Sequence, residues 1–251
     1  MSIDEIADAA VSAAQAGAAM IHLHAREAGG EPTQRLERYE ALVDAVRSRG
    51  CEAILNLSTG SAGGRTFGAE RYSCLDLRPE VASFDCGSLN FNDWVFENSP
   101  AFLRDMAQAF QRSGAKPEIE CFDAGHIGIA LRLRDEGLLS DPMHFQLVLG
   151  VNGGGAGTIE QMLYMRSLLP QEATWSICAT GRHQLPLNVL GLISGGHLRT
   201  GLEDNIYYSR GVLAESNGQL VERLVRIARE FGRRVATPDE ARGILGLSGE
   251  L

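Results

Sequence analysis

His22 and His24 stand one residue apart at the end of a short apolar run, Ala18-Ala19-Met20-Ile21-His22-Leu23-His24. Residues two apart on a strand point to the same face, so both imidazoles would project together while Ile21 and Leu23 pack behind them. Two imidazoles are not yet a catalytic metal site, which needs a third protein ligand and an open position. Glu203 is the candidate, because the last strand of a closed barrel lies beside the first ones. Two imidazoles and a carboxylate suit zinc and would also accept iron or manganese. The competing reading is a pair of partly buried histidines satisfied by local hydrogen bonds.

Glu203 sits in a dense cluster, Arg199-Thr200-Gly201-Leu202-Glu203-Asp204. If the strand persists through it, Arg199, Gly201 and Glu203 share one face. A buried guanidinium would keep the neighbouring Asp204 ionised and fit to take a proton; alternatively the pair is a structural ion pair closing the barrel. Gly150-Val151-Asn152-Gly153-Gly154-Gly155-Ala156-Gly157-Thr158 lies between a strand and a helix. It could cradle a phosphate on its backbone amides or form a tight turn with no ligand. Ser58-Thr59-Gly60-Ser61-Ala62-Gly63-Gly64 could hold a carboxylate or be a flexible loop. Cys121 follows Glu120 directly and so faces the other side of its strand, as packing. His126, His144, His183 and His197 have no ligand-like spacing.

The elements that must position these groups alternate regularly. An alanine-rich helix is expected over 3–16, with Ser2 as N-cap, Glu5 completing a capping box and Gly17 as its stop. Strands are expected at 18–24, 52–57, 81–84, 118–121, 144–149, 174–178 and 197–201. Helices are expected at 35–49, 70–77, 100–113, 124–136, 159–169, 186–194 and 215–231, and a last one begins at Thr237-Pro238. Short apolar strands alternating with helices imply a parallel sheet under helices, here in a single domain over residues 1–251. Polar residues fall repeatedly at strand C-termini: His22 and His24, Ser58, Ser83 and Asp85, Glu120 and Asp123, Asn152, Arg182, Glu203 and Asp204. That is where a (β/α)8 (TIM) barrel gathers its chemistry. Such a barrel needs eight strands and the sequence supplies seven, opening on a helix. The expectation is therefore a barrel whose first strand is missing from this chain, or an open sheet.

Composition narrows the partners. The formal charge is −9 with 44% hydrophobic residues. This fits a well-packed chain that stays dispersed and lacks the basic stripe that nucleic acid requires. Five widely spaced cysteines without a CxxC argue against a disulfide framework and for a reducing compartment. The acidic start is no signal peptide, and no apolar run is long enough to span a membrane. A cytoplasmic protein is expected.

The motifs HLH at 22–24, STG at 58–60, ECFD at 120–123, GRHQLP at 181–186 and RTGLEDN at 199–205 occur in an order that resembles the β-keto acid cleavage enzymes. The likeness runs from Ile3 to the C-terminus. It implies a zinc TIM barrel, commonly a homotetramer, that exchanges carbon–carbon bonds between a β-keto acid and acetyl-CoA. The products would be acetoacetate and a new acyl-CoA, the keto acid being for example the 3-keto-5-aminohexanoate of lysine degradation. By that resemblance His22, His24 and Glu203 are the zinc ligands, and Arg199 and Asp204 the catalytic pair. Glu120 is an active-site carboxylate, and Ser58, Ser61 and Ser83 contact the substrate. Two departures are a serine at 61 where the family has glycine and a serine at 83 where it has threonine. The family's first strand, with a substrate-facing glutamate, has no counterpart in the sequence. Two other readings remain: a zinc aldolase acting on a phosphorylated substrate, and an inactive barrel kept as a binding or oligomerisation subunit.

Overall fold

The structure, a computed structural model, describes residues 1–247. In chain order its elements are α1 (Ile3–Gln15), β1 (Met20–Leu23), α2 (Leu36–Ser48), β2 (Ile54–Leu57), β3 (Val81–Asp85), β4 (Leu89–Phe91), β5 (Trp94–Phe96), α3 (Pro100–Ser113) and β6 (Lys116–Cys121). There follow α4 (Ala124–Asp135), β7 (His144–Leu149), α5 (Ile159–Ser167), β8 (Thr174–Ala179), α6 (Gln184–Ile193), β9 (His197–Leu198), β10 (Tyr207–Ser209), β11 (Val212–Leu213), α7 (Asn217–Glu230) and α8 (Pro238–Leu245). No helix among the described residues is long and apolar enough to cross a membrane.

Seven strands form one sheet in the order β1-β2-β3-β6-β7-β8-β9, and every pairing is parallel. Each strand splits its residues by parity. Leu55 and Leu57, Phe84, Ile119 and Cys121, Phe145 and Leu147, and Ile177 face outward into the apolar layers under the helices. The alternate positions face inward and are mostly polar: His22, Asn56, Ser83, Glu118, Glu120, Gln146 and Ser176. Residues inside a parallel barrel are cut off from solvent, so Glu118, Asn56 and Gln146 are essentially unexposed. Met20, Ile54 and Val81, closed off by Leu245 of α8, make an apolar floor.

The sheet curls until its ends meet. His24, just past β1, lies 2.8 Å from Glu203, which follows β9, so the chain ends of the barrel face each other as the (β/α) barrel reading requires. Among the described residues no ladder joins β1 to β9. That seam is covered by α1, which packs on α7, and beside it lies a cavity of about 810 Å³ lined by both edges and both helices. α1 approaches closely because its buried stripe is Ala7, Ala10 and Ala13, and Ser2 and Glu5 make the expected capping box.

Several expectations are corrected. The last strand ends at Leu198 rather than near residue 201. Arg199 donates one more ladder bond to Ile177, after which Thr200 turns away to the Gln184 side chain. The segment at 70–77 is a 3-10 helix, Gly68–Leu77, kinked at Tyr72. Two antiparallel hairpins, β4–β5 and β10–β11, were not anticipated; their turns are Asn92-Asp93 and Arg210-Gly211, with Asn92 and Gly211 at positive φ, a short-range signal that is readable in principle.

Candidate active site

The inward-facing groups converge at the C-terminal end of the sheet. His22 and His24 bring their Nε2 atoms to 2.9 Å of each other, as expected for two side chains from one face of β1. Glu203 reaches them from a turn, not from a continuing strand. The Asp204 and Asn205 amides both bond the Gly201 carbonyl, the Leu202 amide bonds Asn217 Oδ1 at 2.8 Å, and Gly181 donates to the Asp204 carbonyl. The shared face predicted for Arg199 and Glu203 is therefore achieved by turn geometry.

His22, His24 and Glu203 each offer a ligand atom, all within 4.8 Å of one another. The donor chemistry fits a divalent transition metal: two imidazoles and a carboxylate on one side of a cavity. Burial, with Arg199 and His24 nearby, pushes His22 down to about 3, so its ring is neutral and keeps a lone pair to donate. Burial alone would raise the Glu203 carboxyl, but His24 and Arg199 hold it well below the usual range. A second grouping, His22 with Glu118 and Glu120, lies within the same span. Its carboxylates are otherwise engaged, because Glu118 accepts from Asn56 and Gln146 and Glu120 is in a proton-holding environment. The first set is the better fit.

Arg199 is the hub of the site. Its Nη2 donates to Glu203 Oε2 at 2.8 Å, its Nε to Asp204 Oδ2 at 3.3 Å, its Nη1 to Gln146 Oε1 at 2.8 Å and, at 3.4 Å, to Glu120 Oε1. Arg199 lowers the Asp204 carboxyl, the direction expected of it, but burial outweighs this and leaves the carboxyl raised. A base with a raised pKa is a better proton acceptor once ionised. Glu120 is pushed well above the ordinary carboxylate range, by burial first and then by Asp85, which lies opposite it in the β3–β6 register. Asp85 is itself raised by burial, while the buried Arg71 guanidinium, 3.7 Å away, pulls the other way.

The three serines lie on β3 and just after β2, where the Ser58 amide donates to the Leu23 carbonyl, one residue before His24. Ser83 Oγ accepts from the Thr59 amide at 3.0 Å, Ser58 Oγ from Gly60 and Ser61 Oγ from Gly64 at 3.1 Å. Each is buried and retains a hydroxyl proton to donate. Ser61 borders a smaller cavity of about 240 Å³, next to Arg71 and Trp94. The glycine-rich segment after β7 is a packed turn. The amides of Gly150, Gly154 and Gly155 bond carbonyls of Gly155, Val151 and Phe122, and a Cβ at Gly153 would fall 1.5 Å from the Asn90 carbonyl oxygen. Those three amides are spent within the fold and are not open to a phosphate. All five cysteines are buried and free.

Sequence reasoning passed over Glu118, Gln146 and Asn56. The signal was present: Glu118 and Glu120 are two apart on one strand, and a glutamine interrupts the apolar run of β7.

A family model described as beta-keto acid cleavage enzyme matches residues 1–247. The 3-keto-5-aminohexanoate cleavage enzyme of Acetoanaerobium sticklandii is 46% identical over 248 residues, which cover 98% of this chain and 90% of that protein. The Fusobacterium nucleatum enzyme of the same name is 44% identical, with 98% and 90% covered. The 3-oxoadipate:acetyl-CoA acetyltransferase of Cupriavidus necator is 35% identical, with 98% and 87% covered. Among solved structures, the ternary complex of ObcA with C4-CoA adduct and oxalate superposes with a TM-score of 0.82 at 24% identity, covering 98% of this chain and 67% of that one. At that identity the likeness speaks for the barrel fold alone.

Proposed function

This chain belongs to the β-keto acid cleavage enzyme family, and from that membership we propose that it exchanges a carbon–carbon bond between a β-keto acid and acetyl-CoA at the site around Arg199. The observation that supports this most is the meeting of His22 and His24 from one end of the chain with Glu203 from the other, beside Asp204. We propose zinc as the ion those three residues hold; when bound it would polarise the β-keto carbonyl.

Asp204 takes a proton from the carbon between the two carbonyl groups of the keto acid, the most acidic carbon of such a substrate. Arg199 balances the charge on Asp204 before that transfer. Glu120, holding its proton, presents a hydrogen-bond donor beside Arg199 instead of a second negative charge. Ser58, Ser61 and Ser83 orient the keto acid through their hydroxyl protons. The overall exchange conserves atoms: the acetyl group leaves the CoA sulfur and joins the deprotonated carbon, the freed CoA thiolate takes the original acyl group as its bond to that carbon breaks, the carbon regains the proton held by Asp204, and acetoacetate and a new acyl-CoA leave. The names of the relatives at 46% and 44% identity favour an amino-substituted keto acid such as 3-keto-5-aminohexanoate, in lysine degradation. The buried free thiols suit a cytoplasmic enzyme, which we propose works as a homotetramer.

The test combines metal content with a CoA-thioester assay across a panel of β-keto acids. Acetyl-CoA-dependent formation of acetoacetate by protein carrying about one zinc per chain is expected. Product formation without acetyl-CoA would overturn the reading, as would a purified protein that takes up no divalent metal. In the Glu203→Ala variant bound metal should be lost; unchanged content would remove Glu203 from the ligand set.

A further inference from the structure

Behind the catalytic groups lies a buried polar chain that the proposed reaction does not itself use. Glu118, on β6, is wholly buried. Burial would raise its carboxyl, but the His144 side chain and Arg199 more than compensate and hold it below the ordinary range, so it is a carboxylate and can only accept hydrogen bonds. The Asn56 amide nitrogen donates to one oxygen and the Gln146 amide nitrogen to the other, the latter at 2.9 Å. Gln146 Nε2 also reaches Ser176 Oγ at 3.3 Å. With its NH2 committed to an acceptor that has no proton to give, the Gln146 amide has one orientation: its carbonyl oxygen faces Arg199 and receives Nη1 at 2.8 Å.

That bond is one of the two shortest made by Arg199; the contacts to Asp204 are 3.3 and 3.4 Å. The other short bond goes to Glu203, which also belongs to the metal set and so has a competing claim on its oxygens. Gln146 is the short acceptor with no such competition, and it is neutral, so it holds the guanidinium without consuming the charge that Asp204 feels.

We propose that Gln146 is a positioning residue for Arg199, its amide orientation set by Glu118, and that this pair fixes how the guanidinium meets Asp204. The inference rests on the reading of Arg199 and Asp204 as the catalytic pair. A misplacement of about 1 Å in such a group costs roughly a hundredfold in rate; Gln146 and Glu118 also line the main cavity, but the bond at issue is made to Arg199, so the loss is expected chiefly in kcat.

The experiment measures kcat, KM for the keto acid and bound zinc for the intact protein and four variants: Gln146→Met, Gln146→Glu, Glu118→Gln with Gln146→Glu, and Asp204→Asn. Gln146→Met, similar in size but without the carbonyl, is expected to lower kcat about tenfold to a hundredfold, with KM within about twofold and zinc unchanged. Gln146→Glu places two carboxylates together and should fall at least as far. The double variant exchanges carboxylate and amide along the chain, restoring both the net charge and a donor between the two positions, and should turn over faster than Gln146→Glu while staying below the intact protein, because a carboxylate now faces Arg199. A structural role alone would not produce that rescue. Unchanged kcat in Gln146→Met overturns the proposal, as does a loss confined to KM or to metal content, or a double variant no better than Gln146→Glu. Full turnover by Asp204→Asn would mark a failure of the catalytic-pair reading itself, and the proposal falls with it. If Asp204→Asn is dead while Gln146→Met is fully active, only the positioning role is lost.

Discussion

From β1 round to β9 each strand is joined to the next by a parallel backbone ladder, whereas across the seam from β9 back to β1 the link is between side chains, His24 to Glu203. Around the ladder the outward layer is continuous and apolar, with Phe145, Leu147, Ile119 and Ile177 wholly or almost wholly buried. At the seam the lining mixes alanines from α1 with imidazoles, guanidinium groups and carboxylates. Backbone hydrogen bonds set the curvature on one side. Ionisable groups carried by the end of β1 and by the turn after β9 meet on the other, and there a bound ion would add a cross-link between distant parts of the chain. Stability and chemistry thus draw on different residues.

The largest expected effect tests the ladder side. Phe145 is fully buried between the β6 and β8 neighbours, so Phe145→Ala should lower the unfolding free energy by about 3–5 kcal/mol, measured by urea denaturation. Its zinc content at native conditions should be unaltered. If Phe145→Ala abolished metal binding in protein that is still folded, the separation between the two regions would be wrong.

The next effect belongs to the seam. An ion that binds only the folded chain through His22, His24 and Glu203 stabilises it by about 2.7 kcal/mol at a hundredfold excess over Kd. Calorimetry with zinc and with chelator should show a higher Tm for the loaded protein, and the difference should vanish in Glu203→Ala. A zinc-dependent rise in Tm that survives Glu203→Ala would mean that the ion does not span the seam.

That contrast also explains what was legible beforehand. The HLH spacing placed two imidazoles on one face because strand alternation is a local property, and the seven parallel strands follow from apolar runs of strand length. The meeting of Glu203 with His24 came from barrel closure and from resemblance, since no local signal connects residues so far apart in sequence. The strand expected over 197–201 ends at Leu198 because the bonds from Thr200 to Gln184 and from Leu202 to Asn217 that divert the chain are tertiary and leave no local mark in the sequence. Glu118 and Gln146 were missed for a similar reason: a polar residue in an apolar strand reads as an exception until the neighbouring strands are aligned and the exceptions touch.

The smallest effect is a pH dependence near the floor of the seam. His197, on β9, is depressed to about 4, by burial first and then by His144 and Arg233. The unfolded chain would titrate this ring near its ordinary 6.5, so between that value and about 4 the unfolded state binds more protons and acid favours unfolding. The histidine's contribution is fully present at neutral pH and shrinks as pH falls through 6.5 towards 4, by about 2 kcal/mol between pH 7 and pH 5. His22, on the facing edge, is depressed in the same sense, so the wild-type slope sums both rings and must be read by difference. In His197→Gln the fall in unfolding free energy over that range should be shallower by about that amount, measured in chelator so that metal release does not contribute. An unchanged slope would show that the β9 edge is open enough for His197 to be protonated in the folded protein.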